Sequence, residues 1–148
     1  MHPYRNFVLM ILAASVLMFC LMYLNTYQIS HVWFSQTRMF MTFIMAGSMA
    51  LVMLSFMRHM YTNKRANLAI VIGGIALIGL GTWLVRSQET VGEIAWMKAM
   101  IPHHSIAILT SERAHISEPR VRKLADEIIA AQRREISEME DLINDLER

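Results

Sequence analysis

The chain has 148 residues, 14 of them basic and 12 acidic, a formal net charge of +2 and 55% hydrophobic residues. So small a charge, with its basic residues scattered, gives no nucleic-acid patch. The balance hides an asymmetry: residues 1–85 carry Arg5, Arg38, Arg58, Lys64 and Arg65 and no acid, while every acidic residue and the other basic residues fall in 86–148.

In chain order, three apolar runs come first, at about 7–27, 39–57 and 68–85. Each has 18 or more residues without a charge, enough at about 1.5 Å per residue to cross a hydrocarbon core of about 30 Å. We read three transmembrane helices in a membrane domain, 1–85. The first run exceeds the roughly 7–15 apolar residues of a cleavable leader and offers no convincing small-residue cleavage site, so it is expected to remain as an anchor. Cys20, the only cysteine, lies within that run and reads as a small apolar packing residue.

Loop charge sets the expected orientation. Arg58, Lys64 and Arg65 follow the second run and only Arg38 precedes it, which places the second loop and the N-terminus in the cytoplasm and the C-terminal region on the other side. In a bacterial inner membrane that side is the periplasm. Met41, Met45, Met49, Met53 and Met57 recur every fourth residue in the second run and form one winding ridge, either a path for a soft ion or adaptable apolar packing. Ala46, Gly47, Ser48 and Ala50, with Gly73, Gly74, Gly79 and Gly81 in the third run, are small enough for close helix approach.

The remaining residues, 86–148, predict a soluble helical hairpin. A first helix is expected over about 90–115, with a seam of Met97, Met100 or Ile101, His104, Ile108, Ser111 and His115, and with a kink or restart at Pro102. Ser117 or Glu118 caps a second helix that has Pro119 in its first turn and ends near Leu146. Its expected seam is Val121, Leu124, Ile128, Gln132, Glu135, Met139, Leu142 and Leu146. Folding back about 116–118 sets Met97 against Met139, Met100 against Ile136 beside Glu135, and His104 against Gln132. A hairpin of this size is too small to cover both of its faces, so two copies are expected to pair into a four-helix bundle.

Thioether sulfur with imidazole nitrogen is a soft donor set that favours Cu(I) or Ag(I) over hard cations. The expected metal contacts are Met97, Met100, His103, His104 and Met139, with Gln132 and Glu135 in support. His103 lies about 100° around the helix from His104, so one imidazole is expected to bind and the other to stand behind it or serve a neighbouring ion.

The pattern Met-x-x-Met-Ile-Pro-His-His-x-x-Ala-Ile at 97–108, followed by Leu-Ala-x-x-Ile-Ile-x-Ala-Gln-x-x-Glu-Ile-x-x-Met at 124–139, resembles the domain-of-unknown-function 305 family (DUF305). The resemblance covers about residues 90–147 and leaves the three spans outside. It implies a ferritin-like architecture, here half of a four-helix bundle completed by dimerisation, and an association with copper or silver handling, with other copper-handling proteins as partners. Carried across, it implicates the same Met97, Met100, His103, His104 and Met139. Thr110 departs from the pattern, since the family often has methionine there, and removes one soft donor.

The expected fold class is therefore all-α, three transmembrane helices followed by a soluble hairpin. No nucleophile triad, phosphate loop or dinucleotide fingerprint is present, so a binding role and not catalysis is expected. Two other readings stand beside metal binding. One is a structural or interaction protein whose polar seam residues fix helix register. The other is a ferritin-like di-iron protein suggested by the Glu112 and His115 pair, which lacks the further bridging carboxylates.

Overall fold

The computed structural model describes residues 3–148, and among these every regular element is helical. Five α-helices follow one another: α1 (Pro3–Leu21), α2 (Gln36–Phe56), α3 (Lys64–Ser87), α4 (Glu93–Arg113) and α5 (Pro119–Leu146), with single 3-10 turns at Ile29–His31 and Arg58–Met60. They form two compact units. One contains residues 3–22 and Thr37–Thr90; the other contains Tyr23–Gln36 and Val91–Arg148.

In the first unit, α1, α2 and α3 are each long and apolar enough to cross a membrane. Their ends follow from local chemistry. Pro3 opens α1, where its fixed φ suits a first turn. The helix stops at Leu21, several residues short of the apolar run, and Thr26 then folds its hydroxyl onto the Tyr23 carbonyl at 2.9 Å. The Asn63 side chain accepts the Arg65 and Ala66 N–H groups and starts α3 at Lys64. Gln88 ends it in the left-handed region, φ 56°, with its N–H on the Leu84 carbonyl.

Packing in this unit divides the methionine ridge. Met49, Met53 and Met57 lie against a core of Phe7, Ile11, Ala46, Ala50, Leu54 and Tyr61, whereas Met41 and Met45 are exposed. Tyr4 ties the N-terminal end of α1 to the second loop: its hydroxyl accepts the Asn63 N–H at 2.9 Å and donates to Asn67 Oδ1 at 2.9 Å, and its ring tilts against Tyr61. The small residues also separate into two sets. A Cβ on Gly47 would stand 2.5 Å from the Gly74 carbonyl oxygen, and one on Gly81 would stand 2.9 Å from the Phe40 carbonyl oxygen. Gly73 and Gly79 face open space.

In the second unit α4 and α5 form the expected hairpin. Glu118 is its cap, its Oε2 accepting the Val121 N–H at 2.8 Å ahead of Pro119. The Arg120 guanidinium, 2.7 Å from Glu118, holds that carboxyl below its usual range, with the Val121 N–H adding to the effect. Pro102 neither ends nor restarts α4, which continues through it; the ring is buried, and the helix forgoes one backbone hydrogen bond there.

The seam differs from the expected one. On α4 the buried positions are Met97, Ile101, Pro102, Ser105 and Ile108, and His115 is exposed. On α5 they are Ala125, Ile136, Met139 and Ile143, while Val121, Leu124, Leu142 and Leu146 remain 49%, 56%, 46% and 54% exposed. The cause is a third component, the segment Tyr23–Gln36 between α1 and α2. The Tyr27 N–H donates to the Ser105 hydroxyl at 2.7 Å, and His31 Nδ1 shares a hydrogen bond with the same oxygen at 2.9 Å. Tyr27 and Trp33 pack on the core of the hairpin, Lys98 lies 5.5 Å from the Trp33 ring centre and Arg133 5.8 Å from that of Tyr27. The Tyr23 hydroxyl accepts the Ser35 N–H at 2.9 Å and draws the ends of the segment together. Each helix turns its apolar surface toward this segment, which rotates the seam away from the line a bare hairpin would use.

Two expected outcomes follow from these contacts. Gly47→Leu is expected to destabilise the first unit by about 1–3 kcal/mol through overpacking, whereas Gly79→Ala is expected to stabilise it by about 0.4–1 kcal/mol through the unfolded chain; thermal unfolding in mild detergent reads both. Ser105→Ala leaves the Tyr27 N–H without its acceptor and is expected to cost about 1–3 kcal/mol, with faster proteolysis between Tyr23 and Gln36 as the local sign.

Candidate metal centre

Helical periodicity places Met97, Met100 and Met139 at the core of the hairpin, with His104 one turn beyond Met100 on α4. Met97 and Met139 are buried in a single core with Ile101, Ile108, Ile136 and Ile143, and Met100 lies half-buried against it. His104 is mostly covered, its side chain 13% exposed, and its Nδ1 lies 3.3 Å from Glu135 Oε2. His103 is exposed, and its ring centre lies 6.0 Å from that of His104, tilted by 59°. The two imidazoles thus share a neighbourhood and not a face, as their 100° separation requires. Gln132 is half-buried, one turn from Glu135.

The register along α5 differs from the simple fold-back. His104 meets Glu135 where Gln132 was expected, and the ion pairs that cross the hairpin join Lys98 to Glu147 and Glu112 to Arg133. These α5 partners lie three to nine residues further along than the expected pairing of Met97 with Met139 and His104 with Gln132 places them. The turn itself is longer, because α4 ends at Arg113 and α5 begins only at Pro119. Glu112 is committed to Arg133, and His115 lies beyond the end of α4 in exposed chain. The Glu112 and His115 pair is therefore not assembled as a carboxylate and imidazole site.

His104 is the chemically distinctive group. Glu135 Oε2 approaches its Nδ1 at an angle that makes no hydrogen bond, so this nitrogen is buried without a partner. Burial dominates its titration and holds the imidazole below its ordinary value of 6.5; Glu135 opposes that shift and His103 adds to it. The ring is consequently neutral at neutral pH, the form that binds a metal. A neutral nitrogen without a hydrogen bond, one helical turn from the Met100 thioether, suits a soft, weakly charged ion, and a single carboxylate alongside does not make the hard oxygen cage of Mg²⁺ or Ca²⁺.

Sequence reasoning missed Ser105, His31 and Tyr27, which fix one face of α4. The signal was faint: a serine on the apolar side of a helical pattern, flanked by Ile101 and Ile108.

Residues 83–147 match the family model described as Domain of unknown function (DUF305). The chain belongs to this family. The DUF305 segment contains all of α4 and α5 and therefore every candidate donor. The chain is also 30% identical over 108 residues to Uncharacterized protein L153 of Acanthamoeba polyphaga mimivirus, a match covering 72% of this chain and 69% of that protein. That match is longer than the DUF305 segment, so the likeness extends beyond it. No solved structure matches.

The titration of His104 carries a signed expectation. Because its folded value lies below the unfolded one, its contribution to stability is complete above about pH 6.5 and is lost as pH falls through the folded value. Glu135→Gln removes the one influence that raises it, so the His104 midpoint is expected to move lower still, and His103→Gln to move it higher. Imidazole chemical shifts followed against pH read both changes.

Proposed function

We propose that this DUF305 protein is a membrane-anchored, non-catalytic binder of soft monovalent metal, Cu(I) or Ag(I), serving copper handling or resistance. The observation that carries the reading is the buried Nδ1 of His104, which makes no hydrogen bond and is kept neutral by burial, one helical turn from Met100, itself packed against the core that holds Met97 and Met139. His104 would hold the ion with the thioether of Met100, with Met97 and Met139 backing the site from the buried core, His103 as an exposed entry ligand and Glu135 and Gln132 orienting the rings. Soft-ligand chemistry supports copper or silver over zinc.

The location proposed is a bacterial inner membrane, with the N-terminus and the second loop cytoplasmic and the hairpin periplasmic. The charge of the second loop supports it. So does the grouping of chain segments: Tyr4 bonds to the second loop, while the first loop packs on the hairpin, the pairing that three alternating crossings require. The ridge of Met49, Met53 and Met57 reads as packing for α1, since these side chains lie against its Phe7 and Ile11.

Competition between chelators and the purified full chain tests the metal. Cu(I) and Ag(I) are expected to bind more tightly than Zn(II) or Fe(II), and binding is expected to weaken at acid pH as the imidazoles charge; tighter Zn(II) than Cu(I) binding would refute the reading. Orientation has its own test. In a Cys20→Ala background, Ser117→Cys is expected to react with a membrane-impermeant thiol reagent in intact cells and Thr62→Cys is not, and the opposite pattern would reverse the topology.

A further inference from the structure

The hairpin has two broad faces, and the structure covers only one of them. Tyr27, His31 and Trp33 occupy the side of α4 and α5 that presents Lys98, Ser105 and Arg133. On the opposite side of α5, Val121, Leu124, Leu142 and Leu146 are about half exposed at helical three-and-four spacing, with half-buried Ile128 between them. On α4, Trp96, Met100, His103 and Ala107 share one side by the same spacing, with Trp96 and His103 exposed. The His104 and Glu135 contact joins these two surfaces at their middle.

Two features say what covers this bare face. The apolar stripe is symmetric about residues 133–134: Val121 and Leu146 are equidistant from that point, and so, within half a residue, are Leu124 and Leu142. It therefore meets a copy of itself apolar on apolar whether the two α5 helices run parallel or antiparallel, and in both arrangements Glu135 falls at the two-fold axis. Lipid is a poor occupant, because Gln132 and Glu135 interrupt the stripe at its centre and would be buried without partners. The second feature is the incompleteness of the donor set. Among the described residues, no three His, Cys, Asp or Glu side chains of one chain gather to hold an ion, and the thioethers of Met97 and Met139 are buried in the core.

We infer that two copies of this chain pair through the α5 stripe, and that His104, with Met100 and Glu135 beside it, meets its counterpart across the two-fold axis to form one soft-metal site shared between the chains. The inference rests on the metal reading above and adds to it the source of the remaining ligands. A Cu(I) or Ag(I) ion satisfied by two to four soft donors then draws on both copies. Dimerisation and metal binding become one equilibrium, each strengthening the other.

The test uses the full chain in mild detergent with Ag(I) as the probe, reading particle mass and bound silver on the same samples. The native chain is expected to be a dimer holding one Ag(I) per two chains. Leu124→Glu together with Leu142→Glu alters exposed positions outside the ligand set, so helix content is expected to stay unchanged while the particle becomes monomeric. Silver affinity is then expected to fall by at least the roughly 10- to 100-fold that the loss of one supporting contact costs a metal site. Leu142→Gln alone, a milder change, is expected to move mass and affinity in the same direction. A monomeric native chain, or a monomeric variant that still binds one Ag(I) per chain at native affinity, overturns the shared site and leaves the metal reading standing. Absence of silver binding in every form overturns both, and the masses still report whether the stripe joins two chains.

Discussion

The hydroxyl of Ser105 is the point on which the second unit of the molecule turns. It is fully buried, and it takes the Tyr27 N–H and a hydrogen bond with His31 from a segment far away in sequence. Buried polar groups cost little only when they are satisfied, so this oxygen fixes which side of α4 faces the Tyr23–Gln36 segment. The rest follows in order: Tyr27 and Trp33 fill one face of the hairpin, α5 rotates so that Ile136, Met139 and Ile143 meet them and α4, and Val121, Leu124, Leu142 and Leu146 turn outward. His104 sits on the boundary between the covered and the bare face, and that position leaves its side chain mostly buried, with 13% exposed.

Electrostatics at that boundary favour a neutral imidazole over a charged pair. Glu135 is close enough to stabilise a charged imidazole, yet the desolvation of His104 outweighs it and the net shift is downward. A carboxylate that is about half exposed keeps much of its hydration and is screened accordingly. The balance leaves a neutral ring whose Nδ1 makes no hydrogen bond, one helical turn from Met100. DUF305 membership places these residues in the matched segment without assigning them work, so the functional argument rests on their chemistry.

Much of this arrangement is legible in the sequence, for identifiable reasons. Long uncharged runs determine helices α1 to α3 because no other element satisfies backbone groups over such lengths without a partner strand. Glu118 with Pro119 announces the start of α5, since a cap and a first-turn proline act locally. Met97 and Met139 share one core with Met100 against it, and His104 meets Glu135, despite a register error of several residues, because side chains on neighbouring turns of paired helices still reach one another. Non-local effects are what the sequence conceals. Nothing in a local pattern reveals that the segment between α1 and α2 returns to clasp Ser105, and without that third component the Val121, Leu124, Leu142 and Leu146 line reads as the buried seam. Gly47 and Gly73 likewise look alike in sequence, and only the approach of the Gly74 carbonyl separates a packing position from an open one. Pro102 reads as an interruption, yet tertiary packing carries α4 through it.

The most direct test of the account is whether His104 itself takes the ion. Selective labelling of histidine nitrogens and methionine methyl carbons in the full chain, followed during addition of Ag(I), reads the ligands individually. The account predicts a large shift of a His104 ring nitrogen together with the Met100 methyl, saturating at the same silver concentration, and loss of both responses in His104→Ala. Silver binding at native affinity in His104→Ala, with the Met100 signal still responding, would contradict it.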